Sequence, residues 1–322
     1  MHAILRTSAA FLLIGTNASA GVTLPAGQRW DAESRTFNGE DRSLVGGISF
    51  SVEGGSYAAF RDQFSWISTP SVGDFQSAVE SAFAAWTTVD PTSGLASAFS
   101  FTPSLSTSVV TGPSFGTVRF EGAEIDIVAS DAGTNGLLGL TTVLGFGVPV
   151  TLTSGVANYT QSAAIQAVDL HINNNPGAVY SLNAFRRVLT HELGHAIGLG
   201  DVDQGGQFID DNYDSSSPVS TLNNSWAGLV DPLDPANSIG LNNYSISPSI
   251  FATTGIDLLM ESNGLGVGAS NPLSNLFPLT NDEYGMRQYL YPSLVAVPEP
   301  GSSVILGLTL LLGNLRMRRK RT

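Results

Sequence analysis

Hydrophobic positions alternate with polar ones in some segments of the chain and recur at helical spacing in others. Alternation at Ile48, Phe50 and Val52 predicts a strand over 47–52, and Ala167 to Asn173 forms a second such segment. Helical spacing predicts an amphipathic helix from Asp74 to Trp86 on its apolar residues Phe75, Val79, Phe83 and Trp86. Further strands are predicted at 116–122 and 123–130, and the Gly/Thr/Val-rich residues 132–160 suit either a hairpin or a loop over the sheet. Alternating strands and helices favour an α/β or α+β domain.

A second helix is predicted after Ser181, a residue type that commonly caps helix N-termini. Its apolar stripe consists of Leu182, Phe185, Leu189, Leu193 and Ala196. His191 and His195 lie on the neighbouring stripe, so both histidines flank the face that packs into the core. Gly198 supplies the positive φ that ends many helices.

The segment "LTHELGHAIGLGD" (189–201) has the spacing of a metal site. Residues four apart on a helix share one face, so His191 and His195 can point ring nitrogens at one ion. Glu192 is rotated about 100° from His191, which keeps it off the ion but close to a water molecule there. Two histidines and one further ligand leave zinc an open position, and a glutamate in this place is typical of a general base. Gly194 leaves space beside the metal.

This pattern resembles that of the metzincin zinc proteases, and within them the matrixins, whose motif is H-E-x-x-H-x-x-G-x-x-H. The segment "DFQSAVESAFAAW" resembles the first helix of that fold, "EIDIVAS" and "AVDLHINNN" its strands, and "LTNDEYGMRQYLYP" its C-terminal helix. The resemblance spans about residues 45–292. It implies a twisted, mostly parallel sheet, an active-site helix and a C-terminal helix. The residues Thr280 and Glu283 also predict a capping box at the start of that last helix.

Two positions depart from the matrixin pattern. Asp201 stands where the third histidine is expected, as it does in snapalysin-type metzincins, and a carboxylate oxygen binds zinc at a similar distance. Asp203 is the rival for this third place. The Met-turn of the family corresponds best to Met260, which makes residues 202–255 a large insertion. That insertion is rich in carboxylates, and its composition suits either a calcium site or a solvated acidic loop.

His171 falls where vertebrate matrixins have one ligand of a structural zinc. Its partner histidines are missing from this sequence, which favours an ordinary strand histidine.

The composition restricts the partners of the chain. The formal net charge is −13, and all 27 acidic residues lie between Asp31 and Glu299. Such a surface repels phosphate backbones, so nucleic acid is not an expected partner. There is no cysteine, which excludes disulfides, thiolate metal sites and a cysteine-switch propeptide.

Both ends of the chain resemble sorting signals. Residues 1–20 have a basic start, an apolar stretch and the A-x-A site Ala18–Ala20, which predicts a signal peptide. Residues 295–322 contain Pro298-Glu299-Pro300, a short apolar segment and an arginine cluster, and resemble the PEP-CTERM signal of Gram-negative bacteria. That resemblance implies an exosortase-type partner, transient membrane contact and delivery to the cell surface or extracellular matrix. The alternative for this end is a plain C-terminal anchor.

The sequence therefore predicts a single metzincin-like catalytic domain over 21–294, a secreted zinc endopeptidase acting on proteins or peptides. One alternative is a catalytically silent matrix protein that keeps the fold, against which the retained Glu192 argues. Another is a zinc hydrolase whose third ligand is a downstream glutamate, Glu261 or Glu283. Whether residues 21–44 form a short prosegment is left open.

Overall fold

A computed structural model describes residues 28–37, 39–89, 96–110, 121–134, 136–146, 164–201, 207–210, 214–218, 242–245, 258–261, 279 and 281–291. The strands are β1 (Thr36–Phe37), β2 (Glu40–Asp41), β3 (Ile48–Val52), β4 (Ser65–Trp66), β5 (Phe101–Pro103), β6 (Ile125–Ser130), β7 (Gly139–Phe146), β8 (Ala164–Asn173), β9 (Val179–Tyr180), β10 (Gln207–Asp210) and β11 (Asn242–Ser245). The helices are α1 (Tyr57–Arg61), α2 (Val72–Thr87), α3 (Leu182–Ala196) and α4 (Asn281–Leu290).

The central sheet has five strands in the order β5-β3-β6-β8-β7. The pairs β5–β3, β3–β6 and β6–β8 are parallel, whereas β7 runs antiparallel to β8 at the edge. The chain is therefore a mixed α/β protein, as the alternation of strand and helix patterns predicted, and its sheet is mostly parallel, as the resemblance implied. The strands β6 and β8 are buried along most of their length, which is typical of strands covered on both faces.

The two long helices pack against each other and against the sheet. The ring of Phe50 on β3 stacks on Phe83 of α2 at a centroid distance of 3.9 Å. The indole Nε1 of Trp86 donates to the carbonyl of Thr190 on α3 over 2.8 Å, so α2 and α3 share a hydrogen bond inside the core. The C-terminal helix α4 joins them through Arg287, whose guanidinium donates to the carbonyl of Trp86.

The boundaries of the elements differ in places from the sequence predictions. Helix α2 begins two residues earlier than predicted because Ser71 caps it and accepts a hydrogen bond from the amide of Asp74. Strand β8 begins at Ala164, and Arg29 forms a parallel bridge with that residue. Within 132–160 the structure describes an edge strand, β7, from Gly139 to Phe146, and residues 147–160 lie outside the described residues. Most of the predicted strand at 116–122 also lies outside the described residues, and so does the capping residue Thr280.

The first described residues belong to the core. The Trp30 side chain is buried, and its Nε1 donates to the carbonyl of Ala196 at the end of α3 over 3.0 Å. The backbone amide of Ile165 on β8 donates to the carbonyl of Arg29. Removal of residues 28–44 would therefore open the core, which argues against their being a dispensable prosegment. Residues 21–27 lie outside the described part.

No helix among the described residues is long and apolar enough to cross a membrane. The two terminal segments, 1–20 and 295–322, lie outside the described residues, as does most of 202–255. Within that insertion, β10 and β11 pair as an antiparallel ribbon. The calcium prediction falls on residues that are mostly outside the described part.

The buried carboxylate of Glu124, which directly precedes β6, is hydrogen-bonded to strand β3. Glu124 accepts a hydrogen bond from the amide of Ser49 over 2.6 Å, and its own amide donates to the Ser49 hydroxyl. Burial raises the pKa of Glu124 to about 7, although the bonds from Ser49 and the charge of Arg42 act in the opposite direction. The folded state therefore binds this proton more tightly than the unfolded chain, and stability falls as pH rises from about 4.5 to 7.

Replacing Glu124 with glutamine is expected to stabilise the protein at pH 8 and to change little at pH 4.5. The amide retains an oxygen that accepts from Ser49 and never ionises, so the cost of burying a charge disappears. The rise in the pKa of Glu124 corresponds to at most about 3 kcal/mol in the free energy of unfolding. Urea unfolding at both pH values measures it, with the exposed Glu80→Gln as the matched control. A gain at pH 4.5 equal to that at pH 8 would contradict the assignment.

Candidate metal centre

The helix that carries both histidines is held at each end by local hydrogen bonds. Ser181 is its N-cap, as predicted, and the Ser181 hydroxyl accepts from the amide of Ala184 over 3.1 Å. At the other end Gly198 has a φ of 102°, the positive value predicted for this residue. The amide of Leu199 donates to the carbonyl of Gly194, and that of Gly198 to the carbonyl of His195. This pair of bonds is the Schellman motif, which stops the helix at a defined residue.

The turn after the helix directs Asp201 back towards the histidines. Oδ1 of Asp201 lies 3.3 Å from Nε2 of His191 and 3.2 Å from Nε2 of His195. The two Nε2 atoms are 3.1 Å apart. Among the described residues these three form the one group of histidine or acidic side chains that can hold a metal ion. Three donors facing a common point at this separation suit direct ligation of a single cation.

Hydrogen bonds on the far side of each imidazole decide which nitrogen faces the centre. Nδ1 of His191 lies 2.7 Å from the carbonyl oxygen of Leu259, and Nδ1 of His195 lies 2.9 Å from that of Leu199. A carbonyl oxygen only accepts, so each Nδ1 carries the proton and donates. Both Nε2 lone pairs are then free to ligate, and the rings are fixed in orientation.

The charges in this cluster attract one another strongly. Burial acts to lower the pKa of His195, but the carboxylate of Asp201 outweighs it and raises that pKa to about 9. The pKa of His191 is raised in the same way, and the two histidines hold the pKa of Asp201 far below its usual range despite burial. Ligation requires neutral imidazoles, so a cation competes with protons here and its binding releases them.

Met260 packs directly against α3, the helix that carries both histidines. A Cβ on Gly194 would lie 2.3 Å from the Met260 sulfur and 2.8 Å from a ring carbon of Trp86. The space that glycine leaves is therefore filled by these two side chains rather than lying beside the metal, which corrects the sequence-based reason for Gly194. The amide of Met260 donates to Glu283 on α4 over 3.1 Å, and the preceding residue provides the carbonyl that binds His191.

Glu192 is next in sequence to His191 but is not one of the three candidate ligands. Its side chain is buried, and its Oε2 accepts a hydrogen bond of 2.6 Å from the hydroxyl of Thr141 on the edge strand β7. A carboxylate held beside an ion, yet not among its ligands, can accept and return a proton during a reaction on a bound substrate.

The other acidic residues considered as ligands are used elsewhere. Glu261 accepts from the amide of Leu258, and Glu283 from that of Met260, so both stabilise the turn around Met260. The hydrolase alternative that uses one of them as third ligand is therefore not supported. Asp203 lies outside the described residues. His171 is on β8, as predicted, where it lines a pocket with Leu140 and Asn173.

Sequence reasoning missed the partners that hold the site in place. Thr141, Leu259 and Leu199 contact Glu192, His191 and His195 respectively. Only Leu199 is close in sequence to its histidine, and two of the three contacts use a backbone carbonyl, which no residue type reveals. The polar residues within the otherwise apolar strand β7 were the one available signal for Thr141.

No family model matches the chain, and no curated protein matches it.

Proposed function

We propose that this chain is a zinc-dependent endopeptidase of the metzincin class. The observation that carries the proposal is the placement of a carboxylate, Glu192, beside three converging ligand atoms from His191, His195 and Asp201. A purely structural metal site has no use for such a carboxylate. The Schellman turn at Gly198, the packing of Met260 against the helix and the mostly parallel sheet support the same class.

The ligand set supports zinc over the harder cations. Two imidazole nitrogens and one carboxylate suit zinc, whereas calcium and magnesium prefer oxygen ligands alone. In a tetrahedral zinc site with bonds of about 2.0–2.1 Å, ligand atoms lie roughly 3.3–3.4 Å apart. The three separations here, 3.1, 3.2 and 3.3 Å, are close to that value.

The residues of the site have separate roles in the proposed peptide hydrolysis. Zinc, when bound, supplies a Lewis acid that polarises the scissile carbonyl and makes water a better nucleophile. The two histidines and Asp201 would hold the ion through three ligand atoms. Glu192 takes a proton from the attacking water at a carboxylate oxygen and delivers it to the departing amine nitrogen.

We also propose that the enzyme works outside the cytoplasm, at the surface or in the matrix of a Gram-negative bacterium. The apolar segment and A-x-A site at residues 1–20 support export, and the PEP-CTERM-like segment at 295–322 supports sorting by an exosortase.

Metal analysis combined with a casein cleavage assay tests the proposed activity. The purified chain is expected to contain about one zinc per molecule, to lose casein hydrolysis with a zinc chelator, and to regain it when zinc is restored. Magnesium and calcium serve as control cations and should not restore activity. A chain that binds zinc stoichiometrically yet cleaves neither casein nor a mixed peptide library would instead favour the catalytically silent matrix protein.

A further inference from the structure

Thr141 is a polar residue of the edge strand whose side chain faces α3. It lies on β7, and its Oγ1 is 2.6 Å from Oε2 of Glu192 and 3.1 Å from the backbone oxygen of the same residue. The two residues are 51 positions apart in sequence. The contact therefore joins the sheet edge to the helix that carries the metal ligands.

The hydroxyl of Thr141 has one proton, so it donates to one of these two oxygens. The carboxylate oxygen is the nearer acceptor, and hydrogen bonds to a charged acceptor are shorter and stronger than those to a neutral one. The backbone oxygen of Glu192 is also the acceptor that an α-helix pairs with the amide four residues later. The hydroxyl proton is thus directed at the side chain of Glu192.

The same strand restricts the other carboxylate oxygen. A Cβ added at Gly139 would lie 2.2 Å from Oε1 of Glu192 and 2.6 Å from its carboxyl carbon. Any other residue at this position would displace the Glu192 carboxylate from where it lies. Gly139 gives the carboxylate room, and Thr141 two residues along fixes its rotation by binding Oε2.

We propose that Thr141 is a positioning residue that holds the Glu192 carboxylate in the orientation needed for proton transfer. This inference rests on the proposed peptidase function. One oxygen is occupied by the Thr141 hydroxyl, which leaves Oε1 as the atom that receives the proton. A carboxylate that is already held in the rotation needed for proton transfer loses no further rotational freedom in the reaction. The activation free energy of the proton transfer is therefore lower.

Thr141→Val tests the proposal, since valine keeps the branched shape and loses the donor. The variant is expected to lower kcat about 10- to 100-fold, the usual cost of losing a supporting hydrogen bond at a metal site, with KM and zinc content unchanged. Thr141→Ser, which restores the hydroxyl, should recover most of kcat. Thr142→Val makes the same change one residue along, on the opposite face of the strand, and should leave both constants as in the wild type.

A second measurement detects the contact without catalysis. In urea unfolding, Thr141→Val should lower the midpoint when Glu192 is present and should do so clearly less in the Glu192→Ala background. Such non-additivity is expected of two groups in direct contact and not of a residue that only supports the strand.

The outcomes separate this proposal from the proposed function. An active wild type with unchanged kcat in Thr141→Val, a raised KM at constant kcat, or loss of zinc in that variant would each overturn the positioning role and leave the peptidase assignment standing. An inactive wild type would overturn the peptidase assignment and the catalytic part of this proposal. Additive midpoints in urea would show that the hydroxyl does not hold the carboxylate at all.

Discussion

Replacing Asp201 with alanine is expected to remove the metal from the protein and, with it, all measurable peptide hydrolysis. Oδ1 of Asp201 is the third of three converging donors, at 3.3 and 3.2 Å from the two histidine Nε2 atoms. Without it, two imidazoles one helical turn apart remain, and two-point binding is far weaker than three-point binding. Zinc content after dialysis against a weak chelator measures the loss, which should be from about one ion per chain to well below a tenth.

Asp203→Ala is the matched control, because it removes the rival carboxylate two residues further on. It should keep its zinc, since the Schellman turn at Gly198 fixes the helix end and directs Asp201 towards the histidines. Zinc near one per chain in Asp201→Ala would exclude Asp201 as a necessary ligand. If Asp203→Ala were empty instead, the ligand register after Gly198 would be two residues further along.

Glu192→Gln is expected to retain zinc and to lose peptidase activity by a factor of about 10²–10⁴, the usual contribution of a general base. Glutamine has nearly the shape of glutamate and keeps an oxygen that can accept from Thr141, but it cannot take up a proton. Glu192→Ala should be at least as impaired and should also retain zinc, because Glu192 is not among the three ligands.

Steady-state hydrolysis of a peptide substrate, with zinc content measured on the same samples, separates the two roles. A loss of kcat with full zinc occupancy identifies proton transfer, whereas a loss that follows zinc occupancy identifies a ligand. Hydrolysis at the wild-type rate in Glu192→Gln would contradict the general-base role of Glu192 and, with it, the mechanism proposed for this site.

The local geometry of the ligand group could be predicted from the sequence because all of it lies within eleven residues. The i, i+4 spacing fixes His191 relative to His195, Ser181 and Gly198 define the ends of the helix, and the turn after Gly198 brings Asp201 close. Helices and their caps depend on neighbours in the chain, so short-range patterns are enough to predict them. The α/β class followed in the same way from alternating strand and helix patterns, whereas the mostly parallel sheet was expected only from the family resemblance.

The orientation of the side chains in the site depends on tertiary contacts that the sequence does not reveal. The tautomer of His191 depends on the carbonyl of Leu259, 68 residues away, and Glu192 is held by Thr141, 51 residues away on a strand whose Gly/Thr-rich sequence also suited a loop. Gly194 is needed because Met260 and Trp86 fill the space beside it. Backbone carbonyls have no residue-type signature, and contacts between distant segments depend on how the sheet and helices pack. A single sequence therefore predicts which side chains converge at the site, whereas packing determines how each is oriented.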